Sequence, residues 1–253
     1  MVHFVGAGPG APDLITVRGK KYIEEADVII YAGSLVNAAL LEDAKEGAEI
    51  YNSAKMTLEE VLEVIAAAEA EGKMTVRLHT GDSSIYGAIK EQIDALEEKK
   101  IAYDVCPGVS SFCGAAAALN LEYTLPKISQ SVIITRVQGK TEVPEKESLH
   151  ALAAHGSTLV LFLSAGLTEK VKEELLLAGR AGSTPVALVY KATWPDEKIV
   201  RTTIEELPEA AAKEGITKTA LIIVGDVLAE TPDYELSKLY DKTFSTEYRQ
   251  AKQ

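Results

Sequence analysis

Val5-Gly6-Ala7-Gly8-Pro9-Gly10-Ala11-Pro12-Asp13-Leu14-Ile15-Thr16 sets the architecture of the 253-residue chain. The apolar residues at and before its start, Val2, Phe4 and Val5, read as a short buried strand, and three glycines with two prolines force a tight, helix-free turn. Thr16 is placed to cap a helix whose first turns carry Val17, Tyr22 and Ile23. Strand, glycine-rich loop and helix start make a place where backbone N–H groups converge and a small ligand can approach the main chain. The loop does not fill the dinucleotide fingerprint. Its third glycine falls two residues after the second instead of three, and Pro9 removes a donor that a phosphate cradle needs. On local pattern alone, a turn that only reverses the chain stays open beside the ligand-binding reading.

Further β-turn-α units follow. Residues 28–31 are an apolar run of strand length, and Ala32-Gly33-Ser34-Leu35 with the apolar stretch through Leu40 and Leu41 makes a second unit. Residues 49–51 are a short third strand. Thr57 and Glu60 form a capping box ahead of Leu58, Val61, Leu62 and Ile65, which share one helical face, and that helix ends at Gly72. The fourth strand, residues 75–79, opens into Thr80-Gly81-Asp82-Ser83-Ser84-Ile85-Tyr86-Gly87, and the helix after it carries Ile89, Ile93 and Leu96 on one side. The fifth, residues 103–106, runs into Pro107-Gly108-Val109-Ser110-Ser111 and a small-residue helix over 112–119. Five strands alternating with helices predict a parallel sheet whose loops cluster along its carboxyl edge.

The second half has a different texture. Residues 120–130, with Pro126 and little periodicity, read as a linker between an N-terminal α/β domain over 1–119 and a second domain over 131–233. Strands are predicted at 131–135, 158–163 and 220–224, with a polar, loop-like stretch after the first and helices over 167–178 and 204–214. Residues 185–190 and 198–203 flank a turn containing Trp194-Pro195-Asp196 and suggest an antiparallel pair, so the second sheet should be mixed. The charged tail over 234–253 is expected to be partly disordered.

Hydrophobic residues make up 47% and charged residues 25%, ordinary for a globular protein, while a formal charge of −12 argues against nucleic acid or an anionic membrane as partner. No stretch approaches the apolar length of a membrane span, and the N-terminus enters a strand without a signal-like segment, so a cytoplasmic small-molecule enzyme is expected. Cys106 and Cys113 have neither redox nor zinc spacing and read as small buried residues. The four histidines lie far apart, so no metal site is expected, and His79 reads as a satisfied core or edge residue.

The loop at Gly6, the Thr80-Gly81-Asp82 turn with Tyr86-Gly87, the Pro107-Gly108-Val109-Ser110-Ser111 turn and the Ala220-Leu221-Ile222-Ile223-Val224-Gly225 strand, in this order and spacing, resemble the tetrapyrrole methylase family over nearly the whole chain. Within that family, Tyr31-Ala32-Gly33-Ser34-Leu35-Val36 and residues 189–197 look like the branch that methylates precorrin-4 or cobalt-precorrin-4 at carbon 11, on the route to cobalamin. Many family members carry proline after the Gly-Asp pair; Ser83 stands there in this chain and leaves Asp82 in place. The resemblance implies two α/β domains, the second with a mixed sheet, and S-adenosylmethionine in a cleft between them. It assigns the cofactor to Pro9 in the first loop, Thr80, Gly81, Asp82 and Ile85 in the second, Ser110 and Ser111 in the third, and Leu163, Ala192, Thr219 and Ala220 from the second domain. It also implies a homodimer and a tetrapyrrole substrate.

The residue types agree with those roles. Small residues permit close backbone approach, Ile85 and Leu163 can wall an adenine, and carboxylate recognition wants N–H donors. Each position also has a plainer reading: Ile85 and Leu163 as core, Ser110 and Ser111 as helix caps, Asp82 as a turn residue. Direct methyl displacement gains mostly from alignment and exclusion of water, so no catalytic triad is required. Asp82 and Tyr86 are the candidates for a base or ring-polarising group, against a solvated Asp82 or a packed Tyr86. A substrate with many carboxylates meets a strongly acidic protein, which calls for a local basic trough from among Lys55, Arg77, Lys127, Arg136 and Lys191. Competing functions are another family reaction, on uroporphyrinogen III or on the modified histidine of an elongation factor (diphthine synthase), a nucleotide-dependent oxidoreductase, and a non-catalytic binding protein.

Overall fold

The computed structural model describes residues 1–230 and 232–251. Contacts divide the chain into two units, Met1–Ala115 with Lys191–Glu197, and Ala116–Tyr190 with Lys198–Gln253.

In the first unit, β1 (Val2–Gly6), β2 (Val28–Tyr31), β3 (Glu49–Asn52), β4 (Thr75–His79) and β5 (Tyr103–Cys106) form an all-parallel sheet in the order β3-β2-β4-β1-β5. The apolar run at β2 and the burial of every residue of β1 and β4 are what a sheet covered on both faces demands. Helix α1 (Val17–Glu25) packs Ile23 on the face of Val5, Ile29, Val76 and Leu78. Helices α2 (Leu58–Ala70) and α3 (Lys90–Glu98) cover the opposite face, where Val61, Ile65, Ala68 and Leu96 meet Val2, Phe4, Val28 and Ile30. The expected caps are present. The Thr16 hydroxyl accepts from Gly19 N, and Thr57 with Glu60 completes a reciprocal capping box. Helix α4 (Ser111–Leu119) follows β5.

The second unit holds β6 (Val132–Thr135), β7 (Thr158–Leu161), β8 (Pro185–Tyr190), β9 (Lys198–Thr203) and β10 (Ala220–Val224) in the order β6-β7-β10-β8-β9. Only β6 and β7 pair in parallel, so the sheet is mixed, as expected. Its core joins α5 (Leu149–Ala153), α6 (Thr168–Leu177) and α7 (Leu207–Lys213) to one sheet face through Leu149, Val171, Leu175 and Leu207 against Leu159, Leu161, Leu188 and Ile222.

Several expectations are corrected. The segment after β2 is a 3-10 helix, Ala38–Asp43, rather than an α-helix. Helix α5 stands in the stretch read as loop; five residues are too few for a helical period to show above its polar surroundings. Cys106 is buried but Cys113 is exposed. His79 is buried yet its Nε2 has no hydrogen-bond partner, so it is not a satisfied core histidine. Among the described residues no helix is long and apolar enough to cross a membrane, and no cluster of His, Cys, Asp and Glu could hold a metal ion.

Candidate cofactor-binding site

Three loops at the carboxyl edge of the first sheet are joined main chain to main chain. Ala7 N donates to His79 O at 2.7 Å, and Gly8 and Gly81 exchange hydrogen bonds, Gly8 N to Gly81 O at 3.2 Å and Gly81 N to Gly8 O at 2.8 Å. The loop after β5 closes on the same knot. A Cβ on Gly108 would stand 2.1 Å from Gly81 O and 2.7 Å from Gly6 Cα, so no larger residue fits without moving backbone. Gly81 also has φ +61°, a left-handed conformation, and its Cβ position faces Ser111 N at 3.3 Å and Ser110 Cα at 3.6 Å. Pro9, Thr80, Gly81, Ser110 and Ser111, each drawn from one of these loops, therefore come to one edge as expected from their place after parallel strands.

Asp82 ties two of the loops. One carboxylate oxygen, Oδ1, accepts from Ser84 N at 2.9 Å and from the Ser84 hydroxyl, and the other accepts from Gly108 N at 2.8 Å. Partial burial raises its pKa, but the hydrogen bonds from Ser84 and Gly108 outweigh that and hold the carboxyl below its ordinary value. Beyond it the chain is strained. Tyr86 and Ala88 adopt φ +55° and +50°, and a Cβ on Gly87 would meet Ser83 O at 2.1 Å. Ile85 is partly exposed and Tyr86 is 47% exposed. The Ser83 hydroxyl, where many family members carry proline, is buried without a hydrogen-bond partner.

The first loop is pinned from outside by Asn37 and by the turn that carries Thr193 and Trp194. Asn37 Nδ2 donates to Gly10 O at 2.9 Å, Ala11 N donates to the Thr193 hydroxyl at 3.0 Å, and Trp194 Nε1 donates to Pro9 O at 3.2 Å. The Trp194 ring lies so close that a Cβ on Gly10 would come within 2.1 Å of it. Ala192, buried in the same segment, thus belongs with the first unit. Trp194 is separated from Pro9 by 185 residues, too far for any sequence period to reveal.

The other positions lie in the second unit. Strand β7 ends at Leu161, so Leu163 is no core residue: it is 68% exposed with φ +53°. Thr219, just before β10, has φ +56°, and Ala220 is buried. Antiparallel pairing of Ile222 with Leu161 brings the end of β7 to the start of β10, which places Leu163, Thr219 and Ala220 at one end of that sheet. The basic side chains form no single free cluster. Lys191 pairs with Asp196 at 2.6 Å, Lys127 with Glu235, and Arg136 donates to the carbonyls of Thr141 and Glu142. Lys55 is exposed, and Arg77 is 7% exposed inside the first unit.

Known proteins resemble the chain in sequence and fold. The family profile described as Tetrapyrrole (Corrin/Porphyrin) Methylases matches residues 1–208. A cobalt-precorrin-4 C(11)-methyltransferase from Methanocaldococcus jannaschii is 59% identical over 250 residues, covering 99% of this chain and 96% of that protein. One of the same description from Priestia megaterium is 50% identical and covers 98% and 97%. The crystal structure of a cobalt precorrin-4 methyltransferase of cobalamin biosynthesis superposes with a TM-score of 0.88 at 50% identity, covering 90% of this chain and 95% of that one. A uroporphyrin-III C-methyltransferase from Thermus thermophilus, solved with S-adenosyl homocysteine, superposes at 0.75 with 28% identity, covering 91% and 96%. Likeness that runs through both sheets, at such identity and coverage, leaves one assignment: the chain belongs to the tetrapyrrole (corrin/porphyrin) methylase family.

Proposed function

We propose that the chain transfers a methyl group from S-adenosylmethionine to carbon 11 of precorrin-4 or cobalt-precorrin-4, in cobalamin biosynthesis. The observation that carries this reading is the 59% identity, across 99% of the chain, to a relative described by that activity. When bound, the cofactor supplies a methyl group on a positively charged sulfur, already activated for displacement.

The residues present fit such a ligand. Main chains at Gly6 and Gly108 meet with no room for side chains and Gly81 holds a left-handed φ beside them, which leaves the backbone itself as the wall of the cradle. Pro9, Thr80, Gly81, Ile85, Ser110, Ser111 and Ala192 in the first unit hold the cofactor in this reading, and Leu163, Thr219 and Ala220 in the second unit complete the set. Strain at Leu163 and Thr219 supports it, since a left-handed leucine or threonine persists only where its side chain is needed or its surroundings impose it. Asp82, with both oxygens engaged, acts as a positioning residue for the loops. Tyr86, exposed beside Ile85, is the group placed to polarise the substrate ring or to move a proton. Two chains assemble in the working enzyme and act in the cytoplasm.

Calorimetric titration with S-adenosylhomocysteine and, separately, NADH tests the cofactor: binding of the first alone is expected, and preference for NADH overturns the reading. Turnover of cobalt-precorrin-4 with isotopically labelled methyl, located in the product by NMR, tests the position; label at any carbon other than 11 assigns a different reaction of the family. Tyr86→Phe is expected to lower turnover with unchanged cofactor affinity. Sedimentation at twice the 27.1 kDa chain mass checks the dimer.

A further inference from the structure

Alternation along β4 turns Thr75, Arg77 and His79 to the face covered by α2 and α3, while Val76 and Leu78 join the α1 side. Arg77 is 7% exposed. Its Nε donates to Gln92 Oε1 at 3.0 Å and its Nη1 to Ile30 O at 3.1 Å, both neutral acceptors. Among the described residues no carboxylate lies within 4.0 Å of it, in a chain with 38 acidic residues. Burial lowers its pKa to about 10, which leaves it a cation at neutral pH. A desolvated cation without a countercharge costs several kcal/mol on the order expected for buried ions. Such a group is retained where an anion arrives from outside.

The cavity for that anion is present. Arg77 lines a space of about 290 Å³ together with His79, Thr80, Ile85 and Tyr86, while Met56, Leu58 and Val61 give it an apolar side. His79 is 5% exposed, and its Nε2 is buried with no partner. Burial, with the neighbouring Arg77 charge, pushes its pKa down to about 3, so it is a neutral imidazole that donates one hydrogen bond in the Nε2–H tautomer. Glu91 also reaches the lining but makes no ion pair with Arg77.

We propose that this cavity is a subsite for one carboxylate-tipped side arm of the tetrapyrrole, with Arg77 as its counter-ion, His79 as a second donor and the apolar side against the methylene stem. This rests on the methyltransferase reading and names what part of that substrate the first unit holds. An arm, rather than a free anion, matches a space that is apolar on one side and cationic on the other. Thr80 and Ile85, assigned to the cofactor, share its wall with Tyr86, so a seated arm holds the macrocycle beside them. The subsite also resolves how an acidic protein takes a polyanionic ligand: one desolvated cation acts at short range where a net charge of −12 repels at long range.

The test titrates the full chain with uroporphyrin III, an octacarboxylate tetrapyrrole, with inorganic phosphate and with S-adenosylhomocysteine. Arg77→Gln is expected to weaken uroporphyrin III binding about 10- to 100-fold while S-adenosylhomocysteine affinity holds within about twofold. Unchanged uroporphyrin III affinity in a folded Arg77→Gln overturns the subsite. Should that variant not fold, Ser53→Leu, which narrows the cavity from its wall, is expected to give the same loss, and an unchanged affinity there overturns it equally. Phosphate binding that is Arg77-dependent and displaces no porphyrin assigns the cavity to a free anion and overturns the proposal. Loss of S-adenosylhomocysteine binding in the wild type, with Arg77-dependent porphyrin binding retained, breaks the methyltransferase reading and leaves the subsite standing.

Discussion

The first unit buries His3, Arg77, His79 and Gln92, whereas among the described residues the second buries only hydroxyls as polar side chains, those of Thr135, Thr158, Ser164 and Thr184. The hydroxyls are of the inexpensive kind. Thr158 donates to Tyr123 O at 2.9 Å, and Ser164 donates to Phe162 O at 2.7 Å while accepting from Val137 N at 3.0 Å. His79 instead leaves a ring nitrogen unmet, and Arg77 holds its charge against neutral acceptors only, both beside a cavity. Buried charge and an unmet ring nitrogen cost stability, and the strand that carries both beside a cavity, β4, lies in the first sheet, which marks that sheet as the one shaped by a ligand. The strand ends differ as well. The first unit joins its loops through glycine at sites where only backbone fits, while the second sets left-handed Leu163 and Thr219 at one end of its sheet.

The largest way to break this contrast is Gly108→Ala. The new methyl would stand 2.1 Å from a carbonyl oxygen of Gly81, with backbone rather than a flexible side chain as its obstacle. A loss of about 3 kcal/mol or more is expected, roughly 6–12 °C in thermal midpoint, together with cofactor binding. A variant as stable as wild type would show that the loops are not knit as described. Asp82→Asn comes next, at about 2 kcal/mol, because one amide oxygen cannot serve both Ser84 and Gly108 and the amide N–H₂ then faces a donor. Since the native carboxyl is held below its ordinary 3.8, its contribution is complete above that value and is lost as pH falls through the native one. The Asn variant should lack this acid-induced loss.

His79 gives the same contrast a pH axis. The unfolded chain takes up a proton below about 6.5, while the native imidazole stays neutral to about 3. Stability therefore falls as pH drops, by about 1.4 kcal/mol between about pH 8 and about pH 5.5 from this residue alone. Denaturant titration of wild type and His79→Leu at both pH values measures it as the difference in slope. Equal slopes would place a compensating charge beside His79.

Which of these features are legible in the sequence follows from the range of the interaction. Strands β4, β5, β8, β9 and β10 are bounded in the sequence by apolar runs and turn residues, and the Thr57–Glu60 box spans three positions, so both are visible locally. The glycine loops are legible as a place for a ligand because each follows a parallel strand. Their mutual contacts are not, for the Gly6–Gly108 approach depends on β1 lying beside β5. Val76-Arg77-Leu78-His79 reads as a strand with one polar face. Only the packing of α2 and α3 turns that face inward, so the sequence alone offers Arg77 no more than a place among five candidates for a basic trough. Leu163 misleads in the opposite direction. An apolar run continues through it, but the strand stops at Leu161 and leaves it exposed.

Leu163→Gly sharpens the comparison on the second unit's side. Glycine relieves a left-handed conformation but adds freedom to the unfolded chain, and these terms nearly cancel, so stability should stay within about 0.5 kcal/mol. S-adenosylhomocysteine affinity should fall several-fold if the leucine is held strained for its side chain. Unchanged affinity would make the strain a property of the turn alone.

The smallest effect has the least common sign. Ser83 is 2% exposed and its hydroxyl has no partner, whereas buried hydroxyls of the second unit such as those of Thr158 and Ser164 are paired. Removing a hydroxyl usually destabilises by breaking a hydrogen bond; here there is none to break, and the desolvation cost disappears with the oxygen. Ser83→Ala should therefore raise stability by about 0.5–1 kcal/mol, a rise of roughly 1–4 °C, with cofactor affinity unchanged because Asp82 keeps its contacts to Ser84 and Gly108. A fall in midpoint would mean that the hydroxyl is satisfied in solution, and the contrast between the two units would then rest on Arg77 and His79 alone.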